Sequence, residues 1–191
     1  MKVKITPFSG HEEVKLVEPA RFGDERGFFS ETYNQKDLAQ AGLEANFVQD
    51  NQSLSRQRGT LRGLHFQRPP YAQGKLVRVV RGRILDVALD IRHGSPTFGQ
   101  HVSAELSADN WRQLYVPVGY AHGFVTLESD TEVLYKVTNY YSAEHEGGIS
   151  WNDPALGIDW GIDTAAISLS DKDKRHSTLD ELPVCFEFEG R

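Results

Sequence analysis

The 191-residue sequence is poor in cysteine and in long apolar runs, and each absence removes a class of protein. Cys185 is the single cysteine, so the chain cannot form an internal disulfide framework of the kind that staples small secreted domains. No apolar run is long enough to cross a bilayer, and residues 1–7 contain no apolar segment typical of a signal peptide. We therefore expect a cytoplasmic protein with no membrane partner.

Clustered positive charge and a dinucleotide-binding glycine motif are also missing. The formal net charge is -6, and lysine and arginine form no run. Nonspecific nucleic-acid binding needs a concentrated basic face, so we expect no nucleic-acid partner. No Gly-x-Gly-x-x-Gly segment is present to hold a nicotinamide or flavin dinucleotide. An anionic ligand remains compatible with the composition if a few arginines converge.

Strand patterns dominate from Thr60 onward and recur about every ten residues between turns, which is typical of a sandwich or barrel. We predict a mainly β chain with a few short helices, forming one domain over residues 1–191. Its core spans about residues 14–174, and residues 175–191 form a charged tail. The predicted strands are Val14–Pro19, Phe47–Leu54, Lys75–Val80, Ile84–Ile91, His101–Leu106, Gln113–Val116, His122–Leu127, Thr131–Tyr140 and Val184–Phe188.

Two local predictions are more specific. Asn34–Gly42 is the best helix candidate, because asparagine is a good N-cap and glycine a common stop. In Ile84–Ile91, leucine and valine alternate with Asp86 and Asp90, as expected of a strand with two different faces. With the preceding β-branched run and the turn at residues 81–83, this strand is predicted to form a hairpin.

The segment Arg62-Gly63-Leu64-His65-Phe66-Gln67, followed by Lys75, carries most of the chemistry. Regular alternation would send Arg62 and His65 to opposite faces of a strand. A bulge at Gly63 would turn both toward one cavity, since glycine within a strand often marks a bulge. A guanidinium suits an anion, an imidazole can move a proton near neutral pH, and an inward lysine can stabilise an oxyanion.

Pro117-Val118-Gly119-Tyr120-Ala121-His122 resembles the second short motif of the cupin barrels, whose histidine often binds a metal. The first cupin motif carries His-x-His, whereas this chain has only His65 at the matching place. A transition-metal site normally needs three or four ligands, and Glu105 and Glu132 have no ligand spacing. We therefore expect a cupin-like barrel without a metal.

Ordinary structural explanations stay open for several of these residues. His65 is also compatible with a half-buried histidine that has found a hydrogen-bond partner, and Tyr135 with a core tyrosine. Asp171-Lys172-Asp173-Lys174 has the composition of a solvated charge cluster. A carboxylate from this cluster can orient His65 only if the tail folds back over the barrel.

Several motifs, taken in order, resemble the dTDP-4-dehydrorhamnose 3,5-epimerase family over about residues 14–174. Each is weak alone, but their succession is specific. They are Phe22-Gly23-Asp24-Glu25-Arg26-Gly27-Phe28-Phe29, Val48-Gln49-Asp50-Asn51, Leu61-Arg62-Gly63-Leu64-His65-Phe66-Gln67, Gly74-Lys75-Leu76-Val77-Arg78, Ser95-Pro96-Thr97-Phe98-Gly99-Gln100, Pro117-Val118-Gly119-Tyr120-Ala121-His122-Gly123-Phe124, Leu134-Tyr135-Lys136, Thr138-Asn139-Tyr140-Tyr141 and Trp151-Asn152-Asp153-Pro154.

The resemblance implies a cupin-type antiparallel β barrel, or jelly roll, that works without a cofactor. It implies inversion of C3 and C5 of dTDP-4-dehydro-6-deoxy-D-glucose to the L-rhamno product, in deoxysugar nucleotide synthesis. It also implies a homodimer in which the N-terminal segment of one protomer helps to complete the partner's site.

The resemblance also implies a role for each site residue. His65 would be the base, paired with Asp173 or, as the second choice, with Asp171. Tyr135 would be the acid, and Lys75 would lie at the sugar's carbonyl oxygen. The sugar, phosphate and thymine subsites would be lined by Phe22, Arg26, Glu31, Gln49, Asn51, Arg62, His122 and Tyr140, with Arg62 near the pyrophosphate.

Three other functions stay open at this point. A relative could invert only one carbon, or act on another 4-keto sugar nucleotide. A metal-dependent cupin could use His65 and His122. A noncatalytic sugar-nucleotide-binding barrel would keep Arg62 and the aromatic residues but would have no need of a base and an acid.

Overall fold

Two antiparallel sheets dominate the computed structural model, which describes residues 2–190. The strands are β1 Val3–Phe8, β2 His11–Pro19, β3 Phe22–Asp24, β4 Gly27–Phe29, β5 Gln49–Ser55, β6 Leu61–Gln67, β7 Lys75–Arg81, β8 Arg83–Asp90, β9 Arg92–His93, β10 His101–Ser107, β11 Gln113–Val116, β12 Tyr120–Thr126, β13 Thr131–Val137, β14 Glu146–Gly148 and β15 Phe186–Glu187. The helices are α1 Gln35–Gln40 and three 3₁₀ turns, Ala143–His145, Thr164–Ala166 and Asp173–Arg175.

The six-stranded sheet has the order β1-β2-β11-β7-β13-β5, and the five-stranded sheet has the order β10-β8-β12-β6-β14. Side chains from both sheets meet in one buried cluster that includes Val77, Leu114 and Val133 from the first sheet and Ile84 and Phe124 from the second. The inner faces of the two sheets therefore pack on each other. The fold is the predicted cupin-type β barrel, a jelly roll with few helices.

The outer faces of both sheets are covered as well. Helix α1 packs Leu38 against Val3 and Val17 on the six-stranded sheet. Asn34 caps this helix through a hydrogen bond from the Asp37 amide, which confirms the predicted helix start. The segment after β14 covers the five-stranded sheet with Ile149, Leu156, Trp160 and Leu179. Part of the predicted tail is thus packed on the barrel.

The predicted hairpin of residues 75–91 is wrong. β7 pairs with β11 and β13 in one sheet, whereas β8 pairs with β10 and β12 in the other. Only Gly82 lies between the two strands, and a hairpin loop needs at least two residues. Gly82 has a φ of 77° and lies against Thr131, so it forms a corner at which the chain passes between the sheets.

The predicted alternation in β8 is confirmed. Leu85, Val87 and Leu89 belong to the cluster under the C-terminal segment. Asp86 and Asp90 are fully buried on the other face, inside the barrel. Buried carboxylates need partners, so their partners mark the polar regions of the interior. Among residues 2–190, no helix has the length and apolar character needed to span a bilayer.

Candidate active site

The bulge predicted at Gly63 is present in β6. His65 pairs with His122 and Arg62 with Phe124, so Gly63 and Leu64 together oppose the single residue between His122 and Phe124. Gly63 has a φ of 131°, and a Cβ atom there would lie 2.5 Å from Gly123 Cα. Only glycine allows this close approach of the two backbones.

The bulge directs Arg62 and His65 toward the opposite sheet. The Arg62 guanidinium donates to Ser55 Oγ at 3.3 Å and to the carbonyl oxygen of Leu54 at 3.4 Å, both on β5. His65 lines a cavity together with Lys75 and Tyr135, which also belong to that sheet. His65 and Lys75 therefore line the same cavity. Arg62 lies near enough for its charge to act on Tyr135 in the cavity wall.

Asp173 is the carboxylate that pairs with His65. His65 Nε2 lies 2.5 Å from Asp173 Oδ1, and the Asp173 side chain is only 5% exposed. Burial opposes ionisation, but the hydrogen bond and charge of His65 outweigh it, so the pKa of Asp173 is lowered. Ser170 Oγ accepts a hydrogen bond from the Asp173 amide at 3.1 Å. Asp171 is 92% exposed and pairs with Lys174 instead.

Lys75 is buried beside this pair. Its Nζ atom lies 3.4 Å from the carbonyl oxygen of His65. Burial lowers the pKa of Lys75 to about 8, against the opposing charges of Asp86 and Glu146. The ammonium group is thus still predominantly charged at neutral pH, although it has little water around it.

His122 forms a second histidine–carboxylate pair in the same sheet. Its Nε2 atom lies 2.6 Å from Asp86 Oδ1, and the side chains of the two residues are 8% and 0% exposed. Burial lowers the pKa of His122, opposed by Asp86 and assisted by the charges of Lys75 and His65. A neutral His122 donates to Asp86, so this pair is closed within the barrel.

Tyr135 reaches the cavity from β13, where it pairs with Asn51 on β5 and Val77 on β7. Burial raises the pKa of Tyr135, while the charge of Arg62 acts in the opposite direction. Its ring packs partly against the core between the sheets. Its hydroxyl makes no hydrogen bond among residues 2–190, unlike a core tyrosine with a fixed partner. The phenol is therefore available to a ligand in the cavity.

The cavity itself has a volume of about 130 Å³ and polar walls. Gln49 donates to Asn51 at 2.9 Å along one side. On another side Glu146 accepts a hydrogen bond from the Tyr141 hydroxyl at 2.9 Å and forms an ion pair with Lys172. The lining residues are Gln49, Asn51, His65, Phe66, Gln67, Gln73, Lys75, Tyr135, Tyr141 and Glu146.

A larger cavity of about 500 Å³ lies elsewhere on the barrel, and Arg92 is one of its lining residues. Arg92 donates to both oxygens of Asp90, at 2.9 and 2.8 Å, and to the Tyr120 hydroxyl at 3.0 Å. It also forms an ion pair with Glu13. The guanidinium of Arg92 is therefore already engaged by protein groups.

Comparison with known proteins identifies the family of this chain. The family model described as dTDP-4-dehydrorhamnose 3,5-epimerase matches residues 10–181. The dTDP-4-dehydrorhamnose 3,5-epimerase of Sinorhizobium fredii is 56% identical over 176 residues, which cover 92% of this chain and 90% of that protein. The chain belongs to the dTDP-4-dehydrorhamnose 3,5-epimerase family. The resemblance seen in the motifs is confirmed.

Solved structures give the same result. The RmlC epimerase of Legionella pneumophila, in complex with dTDP-4-keto-L-rhamnose, superposes with a TM-score of 0.92 at 43% identity and covers 98% of this chain and 100% of its own. ChmJ of Streptomyces bikiniensis, a 3'-monoepimerase in complex with dTDP-quinovose, gives 0.84 at 34% identity, with coverage of 91% and 87%. One fold therefore serves both double and single epimerases.

Six of the eight predicted substrate-binding residues do not line this cavity within the described chain: Phe22, Arg26, Glu31, Arg62, His122 and Tyr140. Phe22 and Arg26 lie on the hairpin of β3 and β4, which is exposed throughout. Glu31 follows this hairpin and pairs with Lys2 at 3.1 Å. Tyr140 is 62% exposed beyond the end of β13. In contrast, Gln49 and Asn51 line the cavity.

The metal-dependent alternative involving His65 and His122 is not supported by ligand spacing. Among residues 2–190, the group of side chains with suitable spacing is His65, Asp173 and His176. Metal–ligand bonds of about 2.0–2.2 Å place neighbouring ligand atoms roughly 3 Å or more apart. The 2.5 Å between His65 Nε2 and Asp173 Oδ1 is therefore the spacing of a hydrogen bond.

Glu146 and Lys172 were missed by the sequence reasoning. Lys172 was assigned only to a solvated charge cluster, and Glu146 lies in a segment without a motif. Glu146 reaches the cavity because β14 pairs with β6, where Glu146 opposes Gln67. A strand of three residues is too short to show a periodicity in the sequence. The sequence therefore did not reveal that β14 pairs with β6 and brings Glu146 to the cavity.

Proposed function

We propose that this chain inverts C3 and C5 of dTDP-4-dehydro-6-deoxy-D-glucose, giving dTDP-4-dehydro-L-rhamnose for dTDP-L-rhamnose biosynthesis. The observation that supports this most is the hydrogen-bonded His65–Asp173 pair, placed with Lys75 and Tyr135 around one cavity. The reaction is a proton transfer at each carbon beside the C4 ketone. It requires a base, an oxyanion partner and an acid, and no cofactor.

His65 is the base in this proposal. Its imidazole is partly exposed to the cavity, and the carboxylate of Asp173 lies behind it. The carboxylate fixes the tautomer and stabilises the imidazolium that forms when His65 takes a proton from carbon. The lowered pKa of Asp173 keeps the carboxylate ionised at neutral pH.

Lys75 stabilises the enolate oxygen. Loss of a proton from C3 or C5 transfers charge to the ketone oxygen, and a fixed cation at that oxygen is worth roughly 3 kcal/mol. With a pKa of about 8, Lys75 is charged at neutral pH in a site that holds little water. Low water content strengthens its attraction for the enolate.

Tyr135 supplies the proton from the other face of the sugar. Inversion requires a donor opposite the base, and Tyr135 reaches the cavity from the facing sheet. Its raised pKa keeps the phenol protonated at neutral pH. A barrel that only binds sugar nucleotides would need neither this phenol nor the His65–Asp173 pair.

The nucleotide lies toward Arg62, Gln49, Asn51, His122 and Tyr140, with Arg62 at the pyrophosphate. We also propose a cytoplasmic homodimer in which the hairpin of β3 and β4 completes the partner's site. The support is the exposure of this hairpin: Phe22, Phe28 and Phe29 are 60%, 51% and 66% exposed. Three exposed phenylalanines beside an arginine are unusual for a free surface and suit contact with a base and a phosphate.

Mixed dimers test the shared site. Arg26→Ala and His65→Ala chains, each inactive alone, are unfolded together and refolded. If the hairpin serves the partner, half of the dimers have one intact site, so about a quarter of the wild-type activity returns. No return of activity would contradict the shared site and leave the base unaffected.

Product analysis tests the reaction. The purified enzyme is given dTDP-4-dehydro-6-deoxy-D-glucose, and the product is identified by proton NMR with and without a chelator. We expect the L-rhamno product under both conditions. A product inverted at one carbon only would assign the chain to the single epimerases. Binding of the nucleotide without turnover would support the noncatalytic barrel.

A further inference from the structure

His176 lies beside the His65–Asp173 pair, just after the 3₁₀ turn Asp173–Arg175. Its Nε2 atom is 3.4 Å from Asp173 Oδ1, the same oxygen that is bonded to His65. The rings of His65 and His176 meet edge to face, with centroids 5.5 Å apart and an interplanar angle of 79°. One carboxylate oxygen therefore faces two imidazole nitrogens.

Gly148 makes the space for this ring. In the ladder between β6 and β14, Gly148 is directly opposite His65, and directly opposed residues project to the same face. A Cβ atom on Gly148 would overlap the ring of His176. His176 thus occupies the place that a side chain at position 148 would take beside His65.

The Nε2 atom of His176 is buried and has no hydrogen bond within the described residues. A buried polar atom without a partner is costly, and the nearest acceptor is Asp173 Oδ1. A shift of a few tenths of an ångström would convert this approach into a hydrogen bond.

Three titratable groups act on the ring. His65 faces it from β6, and Asp173 and Lys172 act on it from its own segment. Lys172 is itself paired with Glu146 on β14. Burial lowers the pKa of His176, the charges of His65 and Lys172 act in the same direction, and Asp173 opposes them. A neutral ring can donate through Nε2.

We propose that His176 is a positioning residue, which donates through Nε2 to Asp173 Oδ1 and holds this carboxylate against His65. This inference rests on the proposed function, in which His65 is the base. A second donor takes up part of the carboxylate charge, so the imidazolium of His65 is stabilised less. The base then stays free at lower pH, and His176 extends activity in the acidic direction.

The first test compares His176→Ala and His176→Gln with the wild-type enzyme. For His176→Ala we expect kcat to fall about tenfold, as for other residues that orient a catalytic group. KM should change less than about twofold, and the acid limb of kcat/KM should move about half a pH unit higher. His176→Gln should restore most of both, since its amide nitrogen can donate to the same oxygen.

Gly148→Ala provides an independent test, because the added methyl group displaces the ring without removing it. We expect this variant to reproduce the pH profile of His176→Ala. The double variant should be no worse than His176→Ala alone, since the methyl group then fills vacated space. If His176→Ala fails to fold, the pH profile of Gly148→Ala against that of the wild-type enzyme decides the matter.

The outcomes separate this proposal from the function on which it rests. All variants are assayed by deuterium incorporation at C3 and C5 of the substrate. No incorporation with the wild-type enzyme would refute the proposed function. Normal incorporation, with unchanged pH profiles in His176→Ala or Gly148→Ala, would overturn the role of His176 alone. Strictly additive losses in the double variant would also overturn it.

Discussion

The His65–Asp173 and His122–Asp86 pairs have nearly the same bond length, 2.5 and 2.6 Å, but different surroundings. His65 is 27% exposed and lines the cavity, whereas His122 is 8% exposed and has its carboxylate fully buried. A hydrogen-bonded imidazole is therefore not by itself a catalytic base. Access to the cavity, with an acid on the opposite sheet, distinguishes the first pair from the second.

The largest effect should come from breaking the His65–Asp173 pair, which is open to the cavity. His65→Ala removes the proposed base from the cavity, and general bases contribute about 10²–10⁴ in rate. We expect turnover to fall by about 10³-fold, while dTDP binding, measured by titration calorimetry, stays within a few fold of wild type. Substantial turnover by a correctly folded His65→Ala would remove His65 from the mechanism.

Lys75→Met should change activity and stability in opposite directions. Loss of the cation at the enolate should lower kcat by about 10²-fold. Burial moves the pKa of Lys75 from 10.5 to about 8, so below pH 8 the folded protein bears the full cost of the buried charge. At pH 7 the free energy of unfolding of Lys75→Met, measured by urea denaturation, should therefore be about 3 kcal/mol higher than that of the wild-type protein.

The stability difference between Lys75→Met and the wild-type protein should depend on pH in one direction only. Between pH 8 and 10.5 the unfolded chain binds the proton more tightly, so the wild-type protein gains stability with rising pH and the advantage of Lys75→Met disappears. Wild-type activity should fall as pH rises through about 8, because the ammonium form is lost. An advantage that grows above pH 8 would contradict this assignment.

Replacing one carboxylate of each pair makes the comparison direct. Asp173→Asn should lower kcat by about 100-fold and change stability little. Asp86→Asn should cost about 3 kcal/mol of unfolding free energy, because it breaks a fully buried pair. It should also move the alkaline limb of activity to lower pH, since Asp86 supports the charge of Lys75. Equal effects of the two variants on activity and stability would refute the distinction.

Part of the fold and of this site could be predicted from the sequence, because some residues determine the backbone conformation at their own position. Gly63 and Asn34 impose the bulge and the helix cap through their own backbone and side-chain preferences. The pairing of Asp173 with His65 depends instead on a contact across 108 positions, which only the family resemblance indicated.

The sequence predictions failed where the structure depends on pairing between strands that are far apart in the sequence. The alternating pattern predicted β8 correctly, but it carries no information about which strand lies beside it, so the hairpin was wrong. Glu146 and His176 reach the site through β14 and a segment that folds back over the barrel. Their neighbours in sequence give no sign of this.

The smallest expected effect on the exchange rate concerns Tyr135, which lies on the sheet opposite the His65–Asp173 pair. Tyr135→Phe removes the acid but leaves the base, so exchange of substrate hydrogens with solvent should persist within about tenfold of wild type. The product should have altered stereochemistry, because protonation from the opposite face is lost. An unchanged product, identified by NMR, would exclude Tyr135 from the mechanism.

Deuterium exchange in heavy water tests the central claim most directly. The wild-type enzyme, His65→Ala and Asp86→Asn are incubated with dTDP-4-dehydro-6-deoxy-D-glucose and a chelator, and proton NMR follows the signals at C3 and C5. We predict loss of both signals with the wild-type enzyme and with Asp86→Asn, and retention of both with His65→Ala. Exchange that survives in His65→Ala but disappears in Asp86→Asn would show that the buried pair performs the chemistry and would contradict this account.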